Sequence, residues 1–270
     1  MGDVRGVNWD TIGPIDLIVG GSPCTDVSSA AALRPRSERN QRGLAGQRSS
    51  LVAYFLDAVV RYPEAHFILE NVSSMGRSTR DEFDRIVREA AGVREVHCVE
   101  LDGAVFTRVK RRRVFWTTWP VAPLPAQTKV PWQQALAPLE QVSGFEHSEK
   151  AIAYMHRRVK GGRSHWDFGF HQDTARDVAQ TLTSNLSRCA PYNVLIDRRV
   201  APPLVRKMLP QEIEIMMGFP RGWTATGASG KKIARTHRYK QLGNAVVPAV
   251  ISHVMSTCPL THISTKSKDK

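Results

Sequence analysis

An α/β fold built on parallel central strands is what this sequence predicts. Three observations carry the reading. Over roughly the first 120 residues, short apolar runs that end in glycine or polar residues alternate with segments of helical period. The chain has 270 residues, 41% hydrophobic and 23% charged, which suits a soluble protein with a sizeable core. No apolar run approaches the length of a membrane span.

The elements follow in order. "DLIVGG" (Asp16 to Gly21) is a short apolar run closed by two glycines, so it reads as a buried strand. "SSLVAYFLDAVVRY" reads as a helix, with Leu51, Phe55, Leu56 and Val59 at helical spacing and Pro63 ending it. "HFILENV" is a second buried strand. "STRDEFDRIVREAAG" is a helix in which Ser78 or Thr79 is expected to cap the start, acids fill the first turn and Gly92 stops the end. "REVHCVELD" and "RRRVFWTTW" read as two more strands, partly antiparallel to each other.

After Trp119 the texture changes. "PVAPLPAQTKVPW" is proline-rich and has no period, so it marks a boundary. Residues from Gln133 to Asp197 are polar, basic and weakly periodic, which predicts a smaller domain of loops and short strands. "LPQEIEIMMGFP" is a helix stopped by Gly218 and Pro220, and "YKQLGNAVVPAVISHVM" reads as a glycine turn leading into an apolar helix. The organisation expected is a sheet domain over 1–125, a small domain over 126–205, a segment over 206–262 returning to the sheet domain, and a disordered tail over 263–270.

Charge narrows the partners. The net charge of +13 and a pI near 10.0 call for a polyanion, nucleic acid ahead of an acidic membrane. The excess is clustered: "LRPRSERNQRGLAGQR", "RVKRRR", "HRRVKGGR" and "KKIARTHRYK". Four scattered cysteines, none at metal or redox spacing, and a start "MGDVRGVNWD" without an apolar h-region predict reduced thiols, no metal site and an intracellular protein.

The loops that follow strands are where an open α/β sheet places its chemistry. Two stand out: the loop with Pro23-Cys24 after the first strand, and the loop with Glu70-Asn71-Val72 after the strand Phe67 to Leu69. A thiolate can add to an electron-poor ring carbon. A carboxyl group can protonate or hydrogen-bond a ring nitrogen, and a cation can stabilise the adduct. Arg111 and Arg113, two apart in a strand, are expected on one face. Taken singly, Cys24 also reads as core packing, Glu70 as a helix cap, and Arg111 to Arg113 as a solvated edge.

Together these motifs resemble the DNA cytosine-C5 methyltransferases, especially the animal de novo type. "GGSPCTDVS" is similar to that family's nucleophile loop, "ILENV" to its Glu-Asn-Val motif, "RRRVFW" to its Arg-x-Arg motif and "QLGNAVVPAVI" to its last motif. "GDVR", "MGFPRGW" and "QTLTSN" also look like family segments, and all fall in family order. The resemblance implies an S-adenosylmethionine-dependent, Rossmann-like sheet with a small target-recognition domain. It implies that Cys24, mounted by Pro23, attacks C6 of a cytosine flipped from double-stranded DNA. Glu70 would contact N3 and the amine, Arg113 with Arg111 the O2, and Asn71 would shape the loop. Asp3, Val4, Gly20, Leu51, Asn244 and Ala245 are the expected cofactor contacts. Arg48, Arg157, Arg158, Lys160, Arg163, Thr183, Ser184 and Asn185 are the expected nucleic-acid contacts.

The sequence departs from the family at its front. The family's first strand, its phenylalanine-glycine turn and a second strand ending in an acid are missing, so the sheet is expected to be truncated and its "DLIVGG" strand to be an open edge. A second chain supplying those motifs is the expected partner. The alternatives are a cofactor-deficient DNA-binding partner of a full-length enzyme, or a member of the branch that methylates transfer RNA.

Overall fold

The computed structural model describes residues 3–21, 51–157, 171–184 and 194–262. In chain order they form β1 (Leu17–Gly21), α1 (Val52–Arg61), β2 (His66–Val72), α2 (Arg77–Ala91), β3 (His97–Asp102), α3 (Ala104–Thr107), β4 (Arg112–Thr117) and α4 (Glu149–His156). Then come β5 (Gln172–Asp173), β6 (Val194–Asp197), β7 (Leu204–Lys207), α5 (Pro210–Met216), α6 (Arg235–Asn244) and α7 (Pro248–Met255). Two compact units result: Met1–Leu101 with Arg112–Pro123 and His253–Lys270, and Asp102–Arg111 with Leu124–Ser252.

The first unit is the predicted α/β sheet. Its strand order is β1-β2-β4-β3. β1 and β2 are parallel, in register from Leu17↔His66 to Gly21↔Glu70, while β4 runs antiparallel to β2. Among the described residues β1 is the edge strand, as expected, and its Val19 is 61% exposed. Alternation along β2 turns Phe67 and Leu69 to one face, where Val52, Phe55 and Val59 of α1 and Phe83 and Val87 of α2 bury them. Trp116 of β4 stacks on Phe83 and donates its indole N–H to Asp84 at 3.2 Å. Arg94 ties the helix ends down by donating to the carbonyls of Val59, Ala65 and Ala91.

One expectation about α2 fails. The helix begins at Arg77 with Gly76 as its N-cap, so Ser78 and Thr79 lie inside the first turn and make no cap. The first turn, Arg77 to Arg80, therefore holds no acid. Gly92 does end the helix, at φ +64°, where its N–H reaches the Arg88 and Glu89 carbonyls.

The second unit carries a three-stranded sheet, β5-β6-β7, and a buried ionic core. Arg206 of β7 is fully buried. It donates to Asp197 at 3.1 Å and, in bidentate fashion, to Glu212 at 2.9 and 2.8 Å. Glu212 also accepts the N–H of Leu209 at 2.7 Å and of Ala137 at 2.9 Å. These ties hold α5 in the second unit. Residues 206–252, expected to rejoin the sheet, thus group with the second unit, and only the stretch from His253 groups with the first.

The reading of Gly243 also needs correction. It is not a turn: it lies within α6, and a Cβ there would sit 2.2 Å from the Ser184 nitrogen. Glycine is required by the close approach of another backbone segment.

Candidate active site

The parallel register of β1 and β2 ends at Gly21↔Glu70, but β2 runs on to Val72 against β4, so Glu70, Asn71 and Val72 belong to the strand and not to a loop after it. The Glu70 carboxylate lies against β1: a Cβ on Gly21 would be 3.0 Å from its Oε2. Gly21 is therefore the residue that makes room for the carboxylate, three positions before Cys24 in the chain. Pro23 and Cys24 themselves lie outside the described residues.

From the other side β4 brings the cation. Arg113 stands opposite Val72, and Phe115 opposite Glu70, so Arg113 is diagonal to Glu70 on one face. Its Nε donates to Glu70 Oε1 at 2.8 Å, with the two side chains only 15% and 19% exposed. This charge-assisted bond fixes the carboxylate at the strand ends. Asn71 is buried, and its Oδ1 accepts the Val72 N–H at 2.7 Å, so it shapes the backbone beside Glu70.

Arg111 does not share the role of Arg113. It precedes β4, is 2% exposed, and donates to the Leu182 carbonyl at 3.1 Å and the Gly243 carbonyl at 3.0 Å. Its guanidinium staples segments of the second unit and is not available to a pyrimidine.

The expected cofactor contacts are spread over both units. In the first, Asp3 is exposed and accepts from the backbone and guanidinium of Arg5, whose side chain holds the carboxyl at about 2. Val4 opens the short 3-10 turn Val4–Gly6, and Leu51 stands at the N-terminus of α1. Gly20 serves packing: a Cβ there would overlap the Phe55 ring, at 2.5 Å, so the glycine lets α1 approach β1. In the second unit, Asn244 is the exposed last residue of α6, and Ala245 follows it and lines a cavity. An exposed carboxylate that stays ionised can accept from the exocyclic amine of an adenine, the chemistry expected of Asp3, whereas at Gly20 the Phe55 ring occupies the side that a Cβ would take.

Among the expected nucleic-acid contacts, Arg157 is exposed at the end of α4. Thr183 and Ser184 are half-buried and wedged by their backbone against Gly243. Arg48, Arg158, Lys160, Arg163 and Asn185 lie outside the described residues. Sequence reasoning missed Glu214, which is buried and gathers the N–H groups of Gly222 and Thr224. It also missed Trp223, between them and 63% exposed. Only the stretch "MGFPRGW" pointed toward it. Among the described residues, no group of His, Cys, Asp and Glu could hold a metal, and no helix is long and apolar enough to cross a membrane.

Solved structures of similar fold are methyltransferases. The methyltransferase EhMeth of Entamoeba histolytica matches with a TM-score of 0.62 at 14% identity, over 89% of this chain and 75% of that one. The Dnmt2 methyltransferase of S. pombe matches with a TM-score of 0.64 at 13% identity, over 94% and 82%. An E. coli protein assigned as a DNA modification methyltransferase encoded within a prophage matches with a TM-score of 0.54 at 16% identity, over 94% and 83%. No curated protein matches the sequence. The model of the C-5 cytosine-specific DNA methylases matches residues 1–93 and 127–259. With most of its length matched, and with the methyltransferase fold, the chain belongs to the C-5 cytosine-specific DNA methylase family.

Proposed function

We propose that this chain is a DNA (cytosine-5)-methyltransferase that works through a covalent adduct at Cys24. The observation that carries the reading is the Glu70–Arg113 pair, held at 2.8 Å where the β1–β2 pairing ends, beside Gly21, three positions before Cys24 in the chain. The Cys24 thiolate attacks C6 of a flipped cytosine and forms a C–S bond, which makes C5 nucleophilic. Glu70 holds N3 and the exocyclic amine, which draws electrons from the ring, and Arg113 keeps Glu70 in place and faces the O2 side. S-adenosylmethionine, when bound, supplies the methyl group that C5 takes, and Asp3 would hold its adenine amine. Loss of the C5 proton then expels the Cys24 sulfur and restores the aromatic ring.

A second chain is part of the proposal. Among the described residues β1 is an edge strand with Val19 exposed, which supports pairing with a strand that another polypeptide brings. Double-stranded DNA is the substrate favoured by the basic charge and by the family.

Duplex DNA carrying 5-fluorocytosine tests the nucleophile, because fluorine at C5 blocks the elimination step. With S-adenosylmethionine, and with the product of a neighbouring gene where needed, a denaturation-resistant protein–DNA adduct is the expected result, absent in Cys24→Ser. An adduct that survives Cys24→Ser excludes Cys24. No methyl transfer to DNA in any combination, with transfer to RNA instead, replaces the substrate.

A further inference from the structure

Trp223 is a large aromatic side chain held rigidly in water, and its surroundings say why. The Phe219 ring lies nearly parallel to it, 21° apart in plane and 6.2 Å between centroids, and the indole remains 63% exposed. The backbone on both sides is clamped by one buried carboxylate. Glu214 accepts the N–H of Gly222 at 2.5 Å and of Thr224 at 2.9 Å, the Thr224 hydroxyl at 2.5 Å and Arg238 at 2.8 Å. Burial raises the Glu214 pKa, but the hydrogen bonds from Thr224, Arg238 and Gly222 outweigh it and hold the carboxyl below its ordinary value. The indole is thus pre-organised, so a partner that stacks on it orders little on binding.

Beside the ring lies a cavity of about 290 Å³, lined by Phe219, Trp223, Thr226, Gln241 and Ala245 among others. That is near the lower end, roughly 300 Å³, of small-molecule sites and suits one planar base. The chain segments that line it also carry cations. A hairpin closed by Ala225 and Ile233 pairs Thr226 with Lys232 and Gly227 with Lys231, which sets two exposed lysines across from the cavity wall. Arg221 and Lys240 are exposed nearby in the chain, and no Asp or Glu occurs between Glu214 and Asp269. With Glu214 paired to Arg238, no carboxylate in that stretch offsets the other cations.

We propose that Trp223 is a stacking platform for one unpaired base of a nucleic-acid strand, with Arg221, Lys231, Lys232 and Lys240 holding the flanking phosphates. An aromatic face tolerates any base, and the cations track the backbone. The proposal shares with the function above only its class of substrate, and it is tested without cofactor and without methyl transfer.

The probe is a short single-stranded oligonucleotide of mixed sequence carrying one 2-aminopurine. Binding is read by anisotropy and stacking by quenching of the 2-aminopurine. The wild type should quench. Trp223→Ala should lose most of the quenching and bind ~10-fold more weakly. Trp223→Phe should keep both, and a melt should show all three folded, since the side chain is exposed. The double change Lys231→Glu, Lys232→Glu should flatten the salt dependence by roughly one to two units of slope. Equal affinity and quenching in Trp223→Ala overturns the proposal. So does Trp223-dependent binding to anionic phospholipid vesicles with none to the oligonucleotide. No methyl transfer in any combination with a neighbouring gene product, together with the Trp223 dependence, removes the function proposed above and leaves this one standing.

Discussion

Arg206→Ala should destabilise the second unit by roughly 3–5 kcal/mol, one of the largest effects expected of any single substitution in the chain. Arg206, Asp197 and Glu212 are all fully buried. The cost arises because truncation leaves two carboxylates in the interior with their common cation gone. The remaining donors soften this without abolishing it. Asp197 keeps Arg199, and Glu212 keeps the N–H groups of Leu209 and Ala137. Arg206→Lys should recover only part of the loss, because an ammonium cannot bind Glu212 in bidentate geometry while reaching Asp197. Urea unfolding at neutral pH provides the check. A loss below about 1 kcal/mol would mean that water or a rearranged Arg199 replaces the buried cation, well short of the usual penalty.

Glu70→Gln should leave the fold nearly unchanged and slow methyl transfer by roughly 10²–10⁴-fold, the range of a positioned acid–base group. Glutamine keeps the length and one oxygen toward Arg113, so the strand ends stay in place. It lacks a carboxyl that could share a proton with N3. Arg113→Ala should slow transfer less, because Glu70 remains but loses the 2.8 Å bond that orients it. Single-turnover rates on a DNA duplex separate these cases from weaker binding. A Glu70→Gln enzyme within threefold of wild type would remove Glu70 from the chemistry, whatever its position in the sheet.

The strands were legible because their signals are local. "DLIVGG" and "HFILENV" are short apolar runs with clear ends, and the structure pairs them as parallel neighbours. The relation of Glu70 to Arg113 was also within reach, since both are set by strand register. Arg111 was misread because its partners, Leu182 and Gly243, lie 71 and 132 residues away. No spacing within "RRRVFW" encodes them. Gly243 failed for the same reason: a glycine before an apolar helix reads as a turn, while its real constraint is a distant backbone. Ser78 and Thr79 failed because α2 starts earlier than its acids suggest. Trp223 carries no local signal of exposure. Its presentation depends on Glu214, nine positions earlier.

The buried ionic core also separates the two units by the solvent variable to which each responds. Asp173, Asp197 and Glu214, all in the second unit, are held below ordinary carboxyl values. At Asp173 the bond from Arg198 dominates. At Asp197 burial pushes the pKa up, and Arg199 with Arg206 more than offsets it. A carboxyl lowered in the folded state lends stability above its unfolded pKa, and that stability drains away as pH falls toward the folded value. His147 and His171, depressed first by burial, act in the same direction, because acid charges them in the interior. The first unit relies on Phe67, Leu69, Phe83 and Trp116, which protons do not touch, and among its described residues the lowered carboxyl, Asp3, sits at the surface. Acidification from about pH 5 downward should therefore melt the second unit before the sheet. Hydrogen exchange followed through that range should show amides of β6, β7 and α5 losing protection while β2 and β4 keep it. The reverse order would mean that the apolar sheet is the weaker half. If the order holds, Glu214, the carboxylate that sets the Trp223 platform, also makes it acid-labile, so mild acid should silence nucleic-acid stacking while the Glu70–Arg113 strands remain folded.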